Sequence, residues 1–399
     1  MKVLVVTSTF PRWDSDTEPS FVFELCRYLC EQGMQIDVLA PHCHQARIYE
    51  QMDEVRVYRF SYFIHRWQNL AYQGGIMAKL RSHPTNYMQV PFFIVAQLFA
   101  VINRLRSEKY DVVHCHWLIP QGLVCVLARL LTGKKQTGLV CTSHGGDLFS
   151  LKNRIFVYLK RFITKNIDEL YVVSNAMMDY ALSLGINAEK ISVKPMGVDL
   201  KYRFKAVETV QRDQNRIIFV GRLVEKKGVE YLLDAFNQVK LNHPDSRLLI
   251  IGDGPLRQSL EMKSKMLGLH NSVQFMGGIS SEELAAYYSS AGIAVVPSII
   301  TPSGDQEGLG LVIIEAMGCG CAVVATDLPA VRDVIDEKTG VLVQPGNANQ
   351  LAEKLVFLIN NRDYRKQIAV RGNEQVNSHF SWDNCGQRYY KALMEFKRD

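Results

Sequence analysis

A short run of apolar, often β-branched residues followed by a loop and a helical pattern recurs along this chain, breaks off near its middle, and begins again. The first run is Lys2-Val3-Leu4-Val5-Val6-Thr7, followed by a polar loop with Pro11 and Pro19 and a helical pattern over residues 21–30. Residues 36–40, 55–58, 112–114, 139–142 and 170–173 read as further short strands with helical stretches between most of them. A parallel strand pair needs a long crossover, and a helix supplies it, so strands alternating with helices specify a doubly wound parallel sheet.

The rhythm breaks around Ile191-Ser192-Val193-Lys194-Pro195-Met196-Gly197-Val198-Asp199, and a charged stretch runs to Asn215. It resumes with strands at 216–221, 247–251, 273–275, 294–296 and 322–325, and helices at 228–240, 256–267, 280–289 and 311–317. The helix at 280 opens on Ser280-Ser281-Glu282-Glu283, the pattern of an N-terminal cap. A chain of 399 residues is too long for one ordinary core. The expected organisation is therefore α/β throughout, with two doubly wound domains at 1–200 and 201–380, then a capped final helix that begins near Ser381. Ligands of such sheets bind outside the carboxyl ends of the strands, and two domains with those ends facing make a cleft.

Neither domain's first strand runs into a Gly-x-Gly-x-x-Gly turn: one leads to Thr7-Ser8-Thr9-Phe10 and the other to Gly221-Arg222-Leu223-Val224. A nicotinamide or flavin enzyme is disfavoured. Apolar residues make up 47% and charged residues 22%, which excludes a disordered or fibrous chain. The formal charge of +6 resides mostly in residues 1–200, where 22 Lys/Arg face 17 Asp/Glu. That surplus is too small, without a binding motif, to support a nucleic-acid partner.

The nine cysteines are scattered, and no pair has the two-residue spacing of zinc or redox motifs, so they read as reduced thiols of a cytoplasmic protein. His42-Cys43-His44 and His114-Cys115-His116 invite a metal reading, but alternation along a strand puts His and Cys on opposite faces, and no metal is expected. The longest apolar run, 90–102, begins beside Pro91 and is interrupted by Gln97, and at about 13 residues it is too short to span a bilayer.

The segment Glu307-Gly308-Leu309-Gly310-Leu311-Val312-Ile313-Ile314-Glu315 carries the chemistry. Its glycines let backbone approach a ligand, and the helix that starts there aims amides and about half a positive charge at an anion. Glu307 is expected at the helix mouth, and Glu315 some six residues further in, about 9 Å along the axis. The alternative is a buried helix around Ala316-Met317-Gly318 flanked by solvated acids. Upstream, Gly221-Arg222-Leu223-Val224-Glu225-Lys226-Lys227-Gly228 places Arg222 and Lys227 at the carboxyl end of the second domain's first strand. A planar fork and a compact point charge together suit a diphosphate without a metal. A solvated basic turn is the alternative there.

Arg222, Lys227 and the Glu307/Glu315 pair, in this order and about 80 residues apart, resemble the retaining glycosyltransferases of family 4, which use the GT-B fold. Thr142-Ser143-His144-Gly145-Gly146-Asp147 resembles that family's histidine motif. Asp111-Val112-Val113-His114 and Met196-Gly197-Val198-Asp199 resemble its flanking strand and interdomain hinge, so the likeness covers nearly the whole chain. The resemblance implies that Arg222 and Lys227 grip a donor diphosphate, aided by the amides near Leu309, Gly310 and Leu311. It implies that Glu315 holds the nucleotide ribose, that Glu307 faces the donor sugar, that His144 reaches the sugar and reacting centre, and that backbone around Phe275-Met276-Gly277 meets the base. It further implies transfer from a nucleoside diphosphate sugar with retention and no cofactor, and a C-terminal helix, about 381–399, that crosses back to the first domain.

One departure stands out. Many relatives place a Gly-Gly loop after the first strand, whereas this chain has Phe10-Pro11-Arg12-Trp13 through Glu18-Pro19-Ser20-Phe21. On the acceptor side, the aromatic and basic stretch 58–67 and the apolar stretch 90–106, ending in Arg104 and Arg106, suit an anionic membrane surface and a glycan or lipid-linked acceptor. Trp13, Trp67 and Trp117 could instead line an acceptor groove. A sugar-nucleotide epimerase of the same architecture and a non-catalytic nucleotide-sugar binder are the competing readings.

Overall fold

The computed structural model describes residues 1–399 except 15, 17, 73, 74, 398 and 399, so Ser15 and Thr17 of the loop after the first strand lie outside the described residues. The chain divides into two compact units, Met1–Gly197 with Cys385–Asp399, and Val198–Asn384. The expected limits at 200 and 381 sit a few residues from these junctions.

The first unit holds an eight-stranded sheet built from β1 (Lys2–Val6), β2 (Gln35–Pro41), β3 (Tyr49–Met52), β4 (Val55–Phe60), β5 (Val112–His116), β6 (Gly138–Ser143), β7 (Glu169–Val172) and β8 (Ile191–Val193). Their order is β3-β4-β2-β1-β5-β6-β7-β8. All pairs are parallel except β3 with β4, an antiparallel hairpin closed by Met52↔Val55. β5 and β6 are buried at every residue, their apolar starts Val112-Val113 and Leu139-Val140-Cys141 giving way to buried His114, His116, Thr142 and Ser143 toward their carboxyl ends. β3, Tyr-Glu-Gln-Met, is a polar edge strand with no such signal.

The second unit holds a six-stranded, all-parallel sheet of β9 (Asp213–Val220), β10 (Arg247–Ile251), β11 (Val273–Gly277), β12 (Ala291–Val296), β13 (Ala322–Thr326) and β14 (Val341–Val343), ordered β11-β10-β9-β12-β13-β14. Counted within the unit this is 3-2-1-4-5-6, so the strand order reverses between β9 and β12, the place where such sheets bind ligands. Leu232, Phe236 and Val239 of the helix Val229–Asn242 and Leu351, Leu355 and Leu358 of the helix Ala348–Asn360 fill the core over one face.

Two helices end the chain, Arg362–Phe380 and Trp382–Met394. The second joins the first unit from Cys385 onward: Tyr389 is fully buried and donates to the carbonyl of Lys194 at 2.7 Å, and Gly386 abuts the Tyr28 ring.

Two expectations are corrected. Ser280 does not cap its helix through the backbone; its hydroxyl is spent on the Glu283 carboxylate at 2.9 Å. The apolar run 90–102 is only part of a longer element, because the turn Pro84–Met88 continues into the helix Gln89–Ser107. Together they form 24 residues whose most apolar 18-residue stretch has a mean hydropathy of 1.5, long and apolar enough by length and composition to cross a membrane. One stripe of this helix is packed into the first unit, through Phe93, Val101 and Leu105.

Candidate active site

Of the sequence-predicted residues of the second unit, Lys227 and Glu307 meet at the switch point. Arg222 lies on the loop of the first, and Leu309, Gly310, Leu311 and Glu315 follow the second, whereas Met276 lies two strands away. After β9 the chain makes a single helical turn, Glu225–Lys227, ended by Gly228 in the left-handed region (φ 62°). A Cβ at Gly228 would lie 2.0 Å from the Pro297 carbonyl, so only glycine lets this loop abut the end of β12. Lys227 is thereby turned into the space beyond β12, where its ammonium meets Glu307 Oε2 at 2.6 Å; the two side chains are 11% and 12% exposed. Ser298 Oγ donates to the same oxygen at 3.3 Å. Lys226 binds Asp305 Oδ1 at 3.1 Å and the Gln306 carbonyl at 3.3 Å, tying the loop after β9 to the loop after β12 a second time.

Burial opposes ionisation of Glu307, but the charges of Lys227 and Lys226, the Lys227 hydrogen bond and the charge of Arg222 outweigh it and hold the carboxyl at about 2. Lys227 has three N–H donors and gives one to Glu307, which leaves two for an anion. Arg222 is exposed at the mouth. Leu309 and Gly310 are buried, and Gly310, at φ 88°, caps the helix Leu311–Gly318, whose first amides have no partner within the helix.

Glu315 lies closer to the mouth than the sequence suggested. The helix starts at Leu311, so Glu315 is four residues in, about 6 Å along the axis rather than 9. The fully buried Tyr288 donates to its Oε2 at 3.1 Å. Burial pushes the Glu315 carboxyl up to about 7, against the Tyr288 hydrogen bond and the charges of Lys227 and Arg203. Two carboxylates near one lysine thus have opposite proton affinities, one ionised at all ordinary pH and one poised at neutrality. Met276 sits at the carboxyl end of β11, two strands from the Lys227 loop, with its residue half-buried.

In the first unit, His144 follows β6 directly. His116 Nδ1 and His144 Nε2 are 2.9 Å apart, with the rings stacked at 11°. Phe21 and Trp117 close round His144 at 4.9 and 4.8 Å between ring centroids. Burial, with the charge of His114, lowers His144 to about 3, so its imidazole is neutral at physiological pH. Trp117 is held at φ 73°, a strained conformation for a bulky residue, by its amide bond to the Thr142 carbonyl at 2.7 Å. Asp147 ties the two loops together, accepting from the Leu118 amide at 2.6 Å and the Ser143 hydroxyl at 2.8 Å.

The loop after β1 replaces glycines with a staple. Arg12 makes a bidentate pair with Asp16 at 2.6 and 2.8 Å and lies 4.4 Å over the Trp13 ring. The three tryptophans proposed for a groove have separate surroundings: Trp13 meets Arg12, Trp117 meets His144, and Trp67 meets Phe63.

Sequence reasoning missed Lys226, Ser298, Tyr288 and His116. Only His116 left a usable trace, as the second histidine of His-Cys-His at a strand's carboxyl end.

Residues 20–202 match the family model described as Glycosyltransferase Family 4, and residues 201–375 match that of Glycosyl transferases group 1. An uncharacterized glycosyltransferase of Methanocaldococcus jannaschii is 32% identical over 298 residues, covering 73% of this chain and 78% of that protein. A GDP-mannose-dependent monoacylated alpha-(1-6)-phosphatidylinositol monomannoside mannosyltransferase of Corynebacterium glutamicum is 28% identical over 315 residues, covering 75% of this chain and 80% of that one. The structure of sucrose-phosphate synthase from Thermosynechococcus elongatus superposes with a TM-score of 0.79 over 99% of both chains at 22% identity, which identifies the fold as GT-B. With both of its halves matched and both of its sheets of the Rossmann type, this chain belongs to the group 1, family 4 glycosyltransferases and is a transferase.

Proposed function

We propose that this enzyme moves a sugar, with retention of anomeric configuration, from a nucleoside diphosphate donor to a glycan or lipid-linked acceptor at the cytoplasmic face of a membrane. The observation that carries the reading is the Lys227–Glu307 pair at 2.6 Å, next to Gly310, which caps the helix that carries Glu315. Arg222, Lys227 and the amides of Leu309, Gly310 and Leu311 take the diphosphate, an arrangement that stabilises charge on the departing phosphate as the glycosidic bond breaks. Glu315 takes the ribose hydroxyls, and Met276 lies beside the base. Glu307, kept ionised and aimed by Lys227 and Ser298, faces the donor sugar. His144, neutral and fixed by His116, serves as a hydrogen-bonding group for that sugar.

In the front-face route the acceptor hydroxyl attacks the anomeric carbon from the side the diphosphate leaves. The leaving phosphate oxygen takes the hydroxyl's proton, so no protein nucleophile is needed. The acceleration then comes from positioning and from cations at the phosphates, the role a metal plays in other transferases. A lipid-linked acceptor is supported by the kinship with a phosphatidylinositol mannoside mannosyltransferase.

The donor class is tested by thermal shift with UDP-, GDP- and ADP-sugars, where one base should raise the melting temperature well above the others. The absence of stabilisation by any nucleotide sugar would count against the reading. Replacing His116 by alanine is expected to lower kcat about tenfold with little change in donor KM, because His144 loses its orienting partner while the phosphate site is untouched. An asparagine at 116, able to bond His144, should recover part of the loss. Equal damage from both variants would make His116 merely structural.

A further inference from the structure

The helix Gln89–Ser107 wears its polarity the wrong way round for an element facing water. Its buried stripe recurs every four residues and contains two glutamines, and fully buried Gln97 has neither side-chain amide atom hydrogen-bonded. Its outer face carries Phe92, Val95 and Phe99, exposed by 55%, 50% and 65%. At 100° per residue these three lie within about 60° of arc, and Met88, 70% exposed, extends the row one turn earlier. Beside them the turn His65–Trp67 presents Ile64 and Trp67, each 60% exposed. Phe63 joins the two elements, its ring 6.4 Å from Trp67 and 5.5 Å from Phe92. Scattered exposed apolar side chains need no explanation, but six on adjoining elements mark a contact surface.

Charge selects the partner. Residues 55–107 contain seven Arg/Lys and not one Asp or Glu; Arg56 and Arg104 pair with Asp37 and Arg59 with Glu50, whereas Arg66 and Arg106 are exposed. Exposed Arg66 stands within the aromatic turn, and exposed Arg106 falls on the same helical stripe as Phe92 and Phe99, about two turns beyond the apolar row. A second copy of this chain would set those cations against their own like, whereas an anionic surface neutralises them. The opposite stripe of the helix is packed into the first unit, so the helix is held to lie along a surface rather than cross it.

We propose that this face docks on an anionic lipid bilayer, with Phe92, Phe99 and Trp67 among the acyl chains and Arg66 and Arg106 at the phosphates. The proposal deepens the reading of a lipid-linked acceptor: the first unit is brought to the surface where such an acceptor resides.

Flotation with phosphatidylcholine vesicles, with and without phosphatidylglycerol, is the test. The wild type should float with the phosphatidylglycerol vesicles, weakly with phosphatidylcholine alone, and less at high salt. Phe92→Ser/Phe99→Ser should weaken partitioning at least about tenfold. Arg66→Glu/Arg106→Glu should do so about tenfold and remove the preference for phosphatidylglycerol. These side chains are exposed, so unchanged circular dichroism and melting temperature are expected in both variants. Wild-type flotation by the phenylalanine variant would overturn the proposal, as would a dimer, seen by light scattering, that the same variant turns into monomers. The vesicles contain neither donor nor acceptor, so the result is independent of the transferase reading. Nucleotide-induced thermal shift of the same variants, expected to be unchanged, reports on that reading separately.

Discussion

Replacing Lys227 by alanine is expected to reduce sugar transfer about a thousandfold, roughly 4 kcal/mol of transition-state stabilisation. Its ammonium holds the Glu307 carboxylate at 2.6 Å, and Glu307 in turn adjoins Gly310, which caps the helix Leu311–Gly318. The substitution also leaves Glu307 enclosed without its cation. Breaking such a pair costs about 3 kcal/mol, the low end for buried pairs because both side chains retain some exposure. The two losses separate cleanly. Lys227→Ala/Glu307→Gln removes the stranded charge, so it should recover most of the melting temperature and none of the activity. Near-normal turnover in the single variant would remove Lys227 from the diphosphate site. Recovery of activity in the double variant would reduce the lysine to a structural partner of Glu307.

Glu315 yields a prediction in pH. An ionised carboxylate accepts both ribose hydroxyls, whereas the protonated form loses acceptor capacity, and burial places the transition near 7. Nucleotide binding should therefore tighten as pH rises from 6 to 8, by about tenfold, with release of close to one proton at the acid end. Stability runs the opposite way. The folded carboxyl holds its proton to a higher pH than the unfolded one, so its contribution is present at acid pH and is lost as pH rises through about 7. With the proposed ribose role, Glu315→Ala would remove two charge-assisted bonds and should weaken binding about a hundredfold, near 3 kcal/mol, and flatten the profile. Calorimetry in buffers of different ionisation enthalpy measures both affinity and proton release. A flat wild-type profile, or the same slope in the alanine variant, would place the titration elsewhere.

The legible parts of this fold share a cause. β12 and β13 are sealed on both faces and read as apolar runs almost throughout, and β5 and β6, equally buried, show the same signal over Val112-Val113 and Leu139-Val140-Cys141. β3 and β14 escaped because short edge strands carry little burial. The site was legible where chemistry demanded particular residue types at a strand's carboxyl end, as with Arg222, Lys227 and Glu307. What could not be read was the pairing: Lys227 and Glu307 are separated by 80 residues, and only the adjacency of β9 and β12 makes them one ion pair. Tyr288 was invisible for the same reason, and His116, although its His-Cys-His motif stands out, could not be paired with His144, since each is defined by a partner on a different element. The apolar row on the helix Gln89–Ser107 was hidden by composition, because a run of apolar residues does not say which side faces outward.

The most direct test incubates the enzyme with the nucleotide sugar that stabilises it, with and without a membrane lipid extract, and follows released nucleoside diphosphate and lipid mass together. The expected result is nucleoside diphosphate released only when lipid is present, in equal amount with a lipid product heavier by one sugar residue and of unchanged anomeric configuration. Conversion of the donor to an epimer without lipid, or tight donor binding with no product under either condition, would contradict the assignment of a lipid-directed retaining transferase.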